Sequence, residues 1–147
     1  MTQTDAQTLQ ESSRFLWGAS VWQVRFNIRH CLQTGYSYAS LEELWIDFHE
    51  PLAVPEKNTK YRTLGSVRVN AWTAGARLEK NGKMIVASGD AATKVVEELP
   101  KMIGFRLLRI EIQSPGGDTC FVFENEFVLT CFPATQAAPS WAVCTTD

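Results

Sequence analysis

Between Trp22 and Arg29 apolar and polar side chains alternate without a break, as Trp22-Gln-Val24-Arg-Phe26-Asn-Ile28-Arg29. Successive side chains of a strand point to opposite faces, so the run reads as a strand with one buried and one wet face. Trp22, Val24, Phe26 and Ile28 are thereby expected in one core-facing row. Leu44-Trp-Ile46-Asp-Phe48-His49 repeats the alternation, and Val67-Arg-Val69-Asn-Ala71 is a shorter third strand. Arg77 to Lys80 and Lys83 to Ala87 flank Asn81-Gly82, two residues that tolerate the positive φ angles of a type I′ hairpin turn. A single helix is expected from Ala91 to Leu99, with Asp90 as N-cap and Pro100 as the stop. Strands resume at Leu108 to Ile112, Thr119 to Phe123, Phe127 to Phe132 and Trp141 to Cys144, with turns at Ser114 to Asp118 and near Glu124 to Glu126. The expected class is mainly β (α+β), with antiparallel sheets and one or two short helices.

Two stretches overlay. Gly18-x-x-Val21-x-x-Val24-x-Phe26 matches Gly104-x-x-Leu107-x-x-Ile110-x-Ile112, and an apolar strand follows each. Either the single domain, residues 1–147, contains two related β-rich halves, 14–90 and 97–147, or two alternating strands coincide by chance. The halves differ in charge. Through Val96 there are 11 basic and 9 acidic residues, a balance of +2; from Glu97 onward 3 basic and 7 acidic residues leave −4.

At 147 residues, 45% hydrophobic and 20% charged, the chain has enough material for one core without a staple. Its overall −2 and pI near 5.7 argue against a general nucleic-acid binder. The first ten residues lack the basic and apolar regions of an export signal, and no apolar run approaches the ~18 residues of a membrane span. A cytoplasmic protein is therefore expected. Cys31, Cys120, Cys131 and Cys144 are separated by 89, 11 and 13 positions, which fits no zinc or redox motif, so they read as reduced small hydrophobes.

Chemistry-bearing groups are few. His30 and His49 each end a strand, and together they would be the acid and base of a small nuclease. Asp47 and His49 share a strand face, but two ligands do not make a metal site, and no phosphate-binding glycine pattern is present. Neither a metal nor a cofactor is expected. The 57–83 region carries seven cations, Lys57, Lys60, Arg62, Arg68, Arg77, Lys80 and Lys83, interleaved with Tyr61 and Trp72. That mixture suits stacking on single-stranded nucleic acid, and equally a solvated, edge-protecting hairpin. Two acidic groups, Glu42, Glu43, Asp47 and Glu50, then Asp118, Glu124 and Glu126, could complement a basic protein partner. Of the five tryptophans, most are expected in the core and one or two at an interface rim.

From Gly65-Ser-Val-Arg-Val-Asn70 through Ala76-Arg-Leu-Glu-Lys-Asn-Gly-Lys-Met-Ile-Val-Ala-Ser-Gly-Asp90, the chain resembles small bacterial immunity-type proteins encoded beside polymorphic toxins. A second block continues the likeness: Leu99-Pro-Lys-Met-Ile-Gly104, Ile110-Glu-Ile112, Gly117-Asp118, Phe121-Val-Phe123, Leu129-Thr-Cys-Phe132 and Trp141. The resemblance spans about residues 65–145 and, more loosely, the Gly18 strand. The tryptophan expected just before Arg77 stands instead at Trp72. The family carries no catalytic residues. It implies a non-enzymatic neutraliser that binds a cognate toxin domain and covers its active site or substrate surface. Under that reading the acidic residues would meet a basic toxin cleft.

Overall fold

The structure, a computed structural model, describes residues 10–11, 13–49, 67–113, 117–133 and 141–145. Eight antiparallel strands make one continuous sheet: β1 (Val21–His30), β2 (Ser37–Phe48), β3 (Val67–Lys80), β4 (Lys83–Ala87), β5 (Leu107–Gln113), β6 (Asp118–Phe123), β7 (Phe127–Pro133) and β8 (Trp141–Thr145). A seven-residue helix, α1 (Ala92–Glu98), stands between β4 and β5. The main path runs β1-β2-β3-β7-β6-β5, with β4 and β8 paired to β3.

The alternating residues of this path make its core. Leu44, Ile46 and Phe48 of β2 and Val69 and Ala71 of β3 are fully buried, as are Leu107 and Ile110 of β5, Phe121 of β6 and Leu129 of β7. Each large aliphatic or aromatic side chain so buried contributes about 1.5–3 kcal/mol.

β3 joins two sheets. Its first part, Val67 to Trp72, lies between β2 and β8; its second, Thr73 to Lys80, lies beside β7, with β4 on Arg77 to Lys80. Sheet one is thus β1-β2-β3-β8, and sheet two is β4-β3-β7-β6-β5. Sequence patterning separates Val67–Ala71 from Arg77–Lys80, yet the strand passes unbroken through Gly75. There Ser88 packs against the strand: its Oγ accepts from the Ala76 N–H (2.8 Å) and would lie 3.4 Å, an ordinary contact distance, from a Cβ added at Gly75.

The segments that lead into the two outer strands of the path, residues 18–21 and 104–107, bond to each other. Gly18 N–H donates to the Leu107 carbonyl (2.6 Å) and Leu107 N–H to that of Ala19 (2.9 Å). The second half repeats this: Gly104 N–H donates to the Val21 carbonyl (2.8 Å) and Val21 N–H to that of Phe105 (2.9 Å). Gly18 and Gly104 both hold positive φ, +88° and +92°. The ladders match as well. Val21, Val24 and Phe26 face Phe48, Ile46 and Leu44, while Leu107, Ile110 and Ile112 face Phe123, Phe121 and Thr119. A register shift follows the first pair of each ladder. Ile46 and Leu44 in turn pair with Val69 and Ala71, and Phe121 and Thr119 with Leu129 and Cys131.

Several expectations change. The register shift after Val21 turns Trp22 outward, and a second after Phe26 leaves Ile28 exposed, so the unbroken alternation does not make one core row. Asp90 does not cap α1. Ala91 is the N-cap, without a side-chain bond, and Asp90 accepts from the Ala87 N–H (2.9 Å) with Lys94 nearby (3.4 Å). As expected, α1 ends just before Pro100, at Glu98 with Leu99 as C-cap; a 3-10 turn, Leu99–Met102, with Pro100 near its start, then continues the chain. The Asn81-Gly82 turn has the expected left-handed pair, φ +53° and +74°. Only Trp141 of the five tryptophans is buried. Trp17, Trp22 and Trp72 are 38–44% exposed and Trp45 is half-buried.

Candidate functional site: the outer face of sheet one

Where inward positions of sheet one are apolar, the outward row of β1 is Gln23, Arg25 and Asn27, that of β2 is Glu43, Trp45 and Asp47, and that of β3 is Arg68, Asn70 and Trp72. Pairing sets Arg25 opposite Trp45, Trp45 opposite Asn70 and Glu43 opposite Trp72. Trp45 and Trp72 are therefore diagonal neighbours across two strands, a separation of about 7–8 Å that aromatic side chains bridge. The face is concave. Gln23, Arg25, Asn27, Trp45 and Arg68 help line a depression of about 720 Å³.

Its polar groups are held by one another. Arg68 donates from Nε to Asp47 Oδ1 (2.6 Å) and from Nη2 to Oδ2 (3.1 Å), a two-point grip that fixes the guanidinium plane. Arg25 Nη2 donates to Gln23 Oε1 (3.1 Å), and Asn27 Nδ2 donates to Glu43 Oε2 (3.4 Å). Asn70 Oδ1, beside Trp45, is buried with no hydrogen-bond partner among the described residues. The result is a pre-ordered surface of indole, guanidinium and amide groups.

The acidic candidates do not form one surface. Glu43 lies on this face, and exposed Glu42 sits near Arg29 (3.7 Å) on the same hairpin. Asp47 is 1% exposed with both oxygens engaged by Arg68, so it offers no carboxylate to a partner. Glu50 lies outside the described residues. Asp118 opens β6, while Glu124 and Glu126 follow its far end, roughly 17–20 Å away along the strand. The Glu126 carbonyl accepts from the Asn81 N–H (3.2 Å), which sets this acidic turn against the Lys80–Lys83 hairpin.

The histidines are separated. His30 pairs with Ser37 at one end of the β1–β2 ladder, its Nδ1 2.8 Å from the Ser37 hydroxyl; His49 follows Phe48 at the other end. About nine residues of strand, roughly 30 Å, lie between them, too far to share a proton-transfer centre. Of the basic stretch, the described cations Arg68, Arg77 and Lys80 each have a partner of their own. Lys57, Lys60, Tyr61 and Arg62 lie outside the described residues, and Arg68 is committed to Asp47. Arg77 lies 2.6 Å from Glu79 and over the Phe132 ring, and Lys80 lies over Phe127. Among the described residues no three His, Cys, Asp or Glu side chains cluster to hold a metal ion, and no helix is long and apolar enough to cross a membrane.

Sequence reasoning missed Arg25, Trp45 and Asn70, although Arg25 and Trp45 are the outward members of the alternations that define β1 and β2. Outward position was legible there; which outward residues would adjoin required the registers. No family model matches the chain, and no curated protein or solved structure matches it either.

Proposed function

We propose that the chain is an immunity protein that acts in the cytoplasm, binding a cognate toxin domain and occluding its active site or substrate surface without catalysis of its own. The observation that supports this is the outer face of sheet one: Trp45, half-buried, lines an open depression of about 720 Å³ with Arg25 and Arg68, and Trp72, 44% exposed, lies diagonally across from Trp45 on the same face. Tryptophan and arginine dominate the energetic centres of protein interfaces, because a rigid indole buries much area at low entropy cost and a guanidinium makes several bonds at once. Glu42 and Glu43 lie on the same hairpin as this concavity and supply negative charge for steering a basic toxin.

Co-expression with the toxin domain encoded beside the gene tests the reading. Rescue of growth and co-elution of a complex are expected, and Trp45→Ala or Arg25→Glu should abolish both while leaving the far-ultraviolet spectrum unchanged. Absence of rescue and complex overturns the reading; an unchanged affinity for Trp45→Ala removes this face as the contact.

A further inference from the structure

The paired ladders carry one mismatch. Ala71 and Cys131 are equivalent, since each continues the corresponding β2–β3 or β6–β7 register. Ala71 pairs with Trp141 of β8, and Cys131 pairs with Ala76 in the second part of β3. The same register sets Val143 equivalent to Leu78 and Thr145 equivalent to Lys80. β8 and the end of β3 therefore fill corresponding places at the margins of the two sheets. The end of β3 is then covered on its other side by β4, with Leu78 paired to the fully buried Val86. Among the described residues β8 has no strand on that side.

Other margins carry protection along part of their length. β4 begins with Lys83, the Ile112 N–H of β5 donates to Gln10 Oε1 (2.9 Å), and the start of β1 is closed by residues 104–107. Trp141-Ala-Val-Cys-Thr145 has neither a charge nor a proline, the residues that usually keep an open edge from pairing. We propose that the outer edge of β8 receives an antiparallel strand of the bound partner, in the place that β4 fills in the other half. The incoming strand would put an aliphatic residue opposite Val143, as β4 puts Val86 opposite Leu78. Magnitude selects this occupant over a second copy. Pairing along five residues buries far less than the ~1,000 Å² that a stable interface needs, so an edge contact persists only when another surface already holds the molecules together. The outer face of sheet one adjoins β8 through β3, and a toxin seated there would have this edge beside it. The inference thus rests on the proposed binding function.

One variant separates the two. After Thr145, residues 146–147 are replaced by Asn-Gly-Lys-Met-Ile-Val-Ala, the turn and strand that follow Lys80. The grafted strand should raise Tm by roughly 3 °C or more and slow exchange at least ~10-fold at those amides of residues 141–145 that point away from β3, alternate positions of the strand. It should also weaken the toxin complex at least ~10-fold, with the Trp45 contact intact. In the wild-type complex the same outward-pointing amides should be protected. Graft stabilisation with unaltered toxin affinity, no graft stabilisation, or a wild-type complex in which those amides are unprotected each overturns the strand proposal and leaves the sheet-face reading standing. A dimer of the free chain lost on grafting overturns it in favour of a second copy. Failure of the wild-type chain to bind the toxin at all overturns both.

Discussion

Arg68 grips Asp47 through two hydrogen bonds, and Asp47 is 1% exposed although it lies on the outward row of β2. A carboxylate read from the sequence as a partner contact is therefore a structural group. It joins β2 to β3 next to the Trp45–Asn70 pair and holds Arg68 at the depression. Asp47→Ala leaves the guanidinium, 21% exposed, without its counter-charge and should cost about 3 kcal/mol of unfolding free energy. The double variant Asp47→Ala/Arg68→Met should recover part of that loss, since an uncompensated charge is worse than none. Urea unfolding of the three proteins checks the order; equal stability of Asp47→Ala and wild type would refute it.

Gly18 and Gly104 occupy equivalent positive-φ positions at the seam, which glycine adopts freely, with no atom within 4 Å of an added Cβ. The penalty for a side chain there is conformational and not steric. Gly18→Ala and Gly104→Ala should each cost about 1–2 kcal/mol, and by similar amounts. A large difference between the two midpoints would show that the halves do not share this turn energetically.

Because only Trp141 is buried, with its ring edge-on to Phe121 at 5.9 Å, acrylamide should quench most of the native tryptophan emission. Trp141→Phe should remove the small protected fraction. Emission largely shielded from quencher would contradict the outward placement of Trp17, Trp22 and Trp72.

Thiol reactivity should divide by environment. Burial pushes the Cys131 thiol up to about 12, and burial also raises Cys120, whereas hydrogen bonds from the Thr34 hydroxyl and backbone, with the Gln33 backbone, lower Cys31 below its ordinary value of 9.0. The thiolate is the reactive form, so its population at Cys31 rises at lower pH than at the other two. Alkylation followed by mass spectrometry between pH 7 and 9 should label Cys31 before Cys120 and leave Cys131 unmodified in the native state. Thr34→Ala should move the Cys31 profile to higher pH; no movement would rule out the hydroxyl as the cause.

Local rules settled the strands, the Asn81-Gly82 turn and the mainly β class, because side-chain alternation and positive φ act within a few residues. They also marked Arg25 and Trp45 as outward-facing. They did not reveal that Trp22 leaves the core, since a one-residue shift in pairing reverses a face without changing the sequence pattern. Nor did they place Asp47, whose burial depends on Arg68, 21 residues away. Tertiary structure alone decided that His30 and His49 stand apart and that Trp45, Trp72, Arg25 and Arg68 share a face. Among the described residues it also leaves β8 without the neighbour its counterpart has in β4. Those are consequences of register between distant segments, where the free energy of assembling the sheet, and not local preference, selects the pairing.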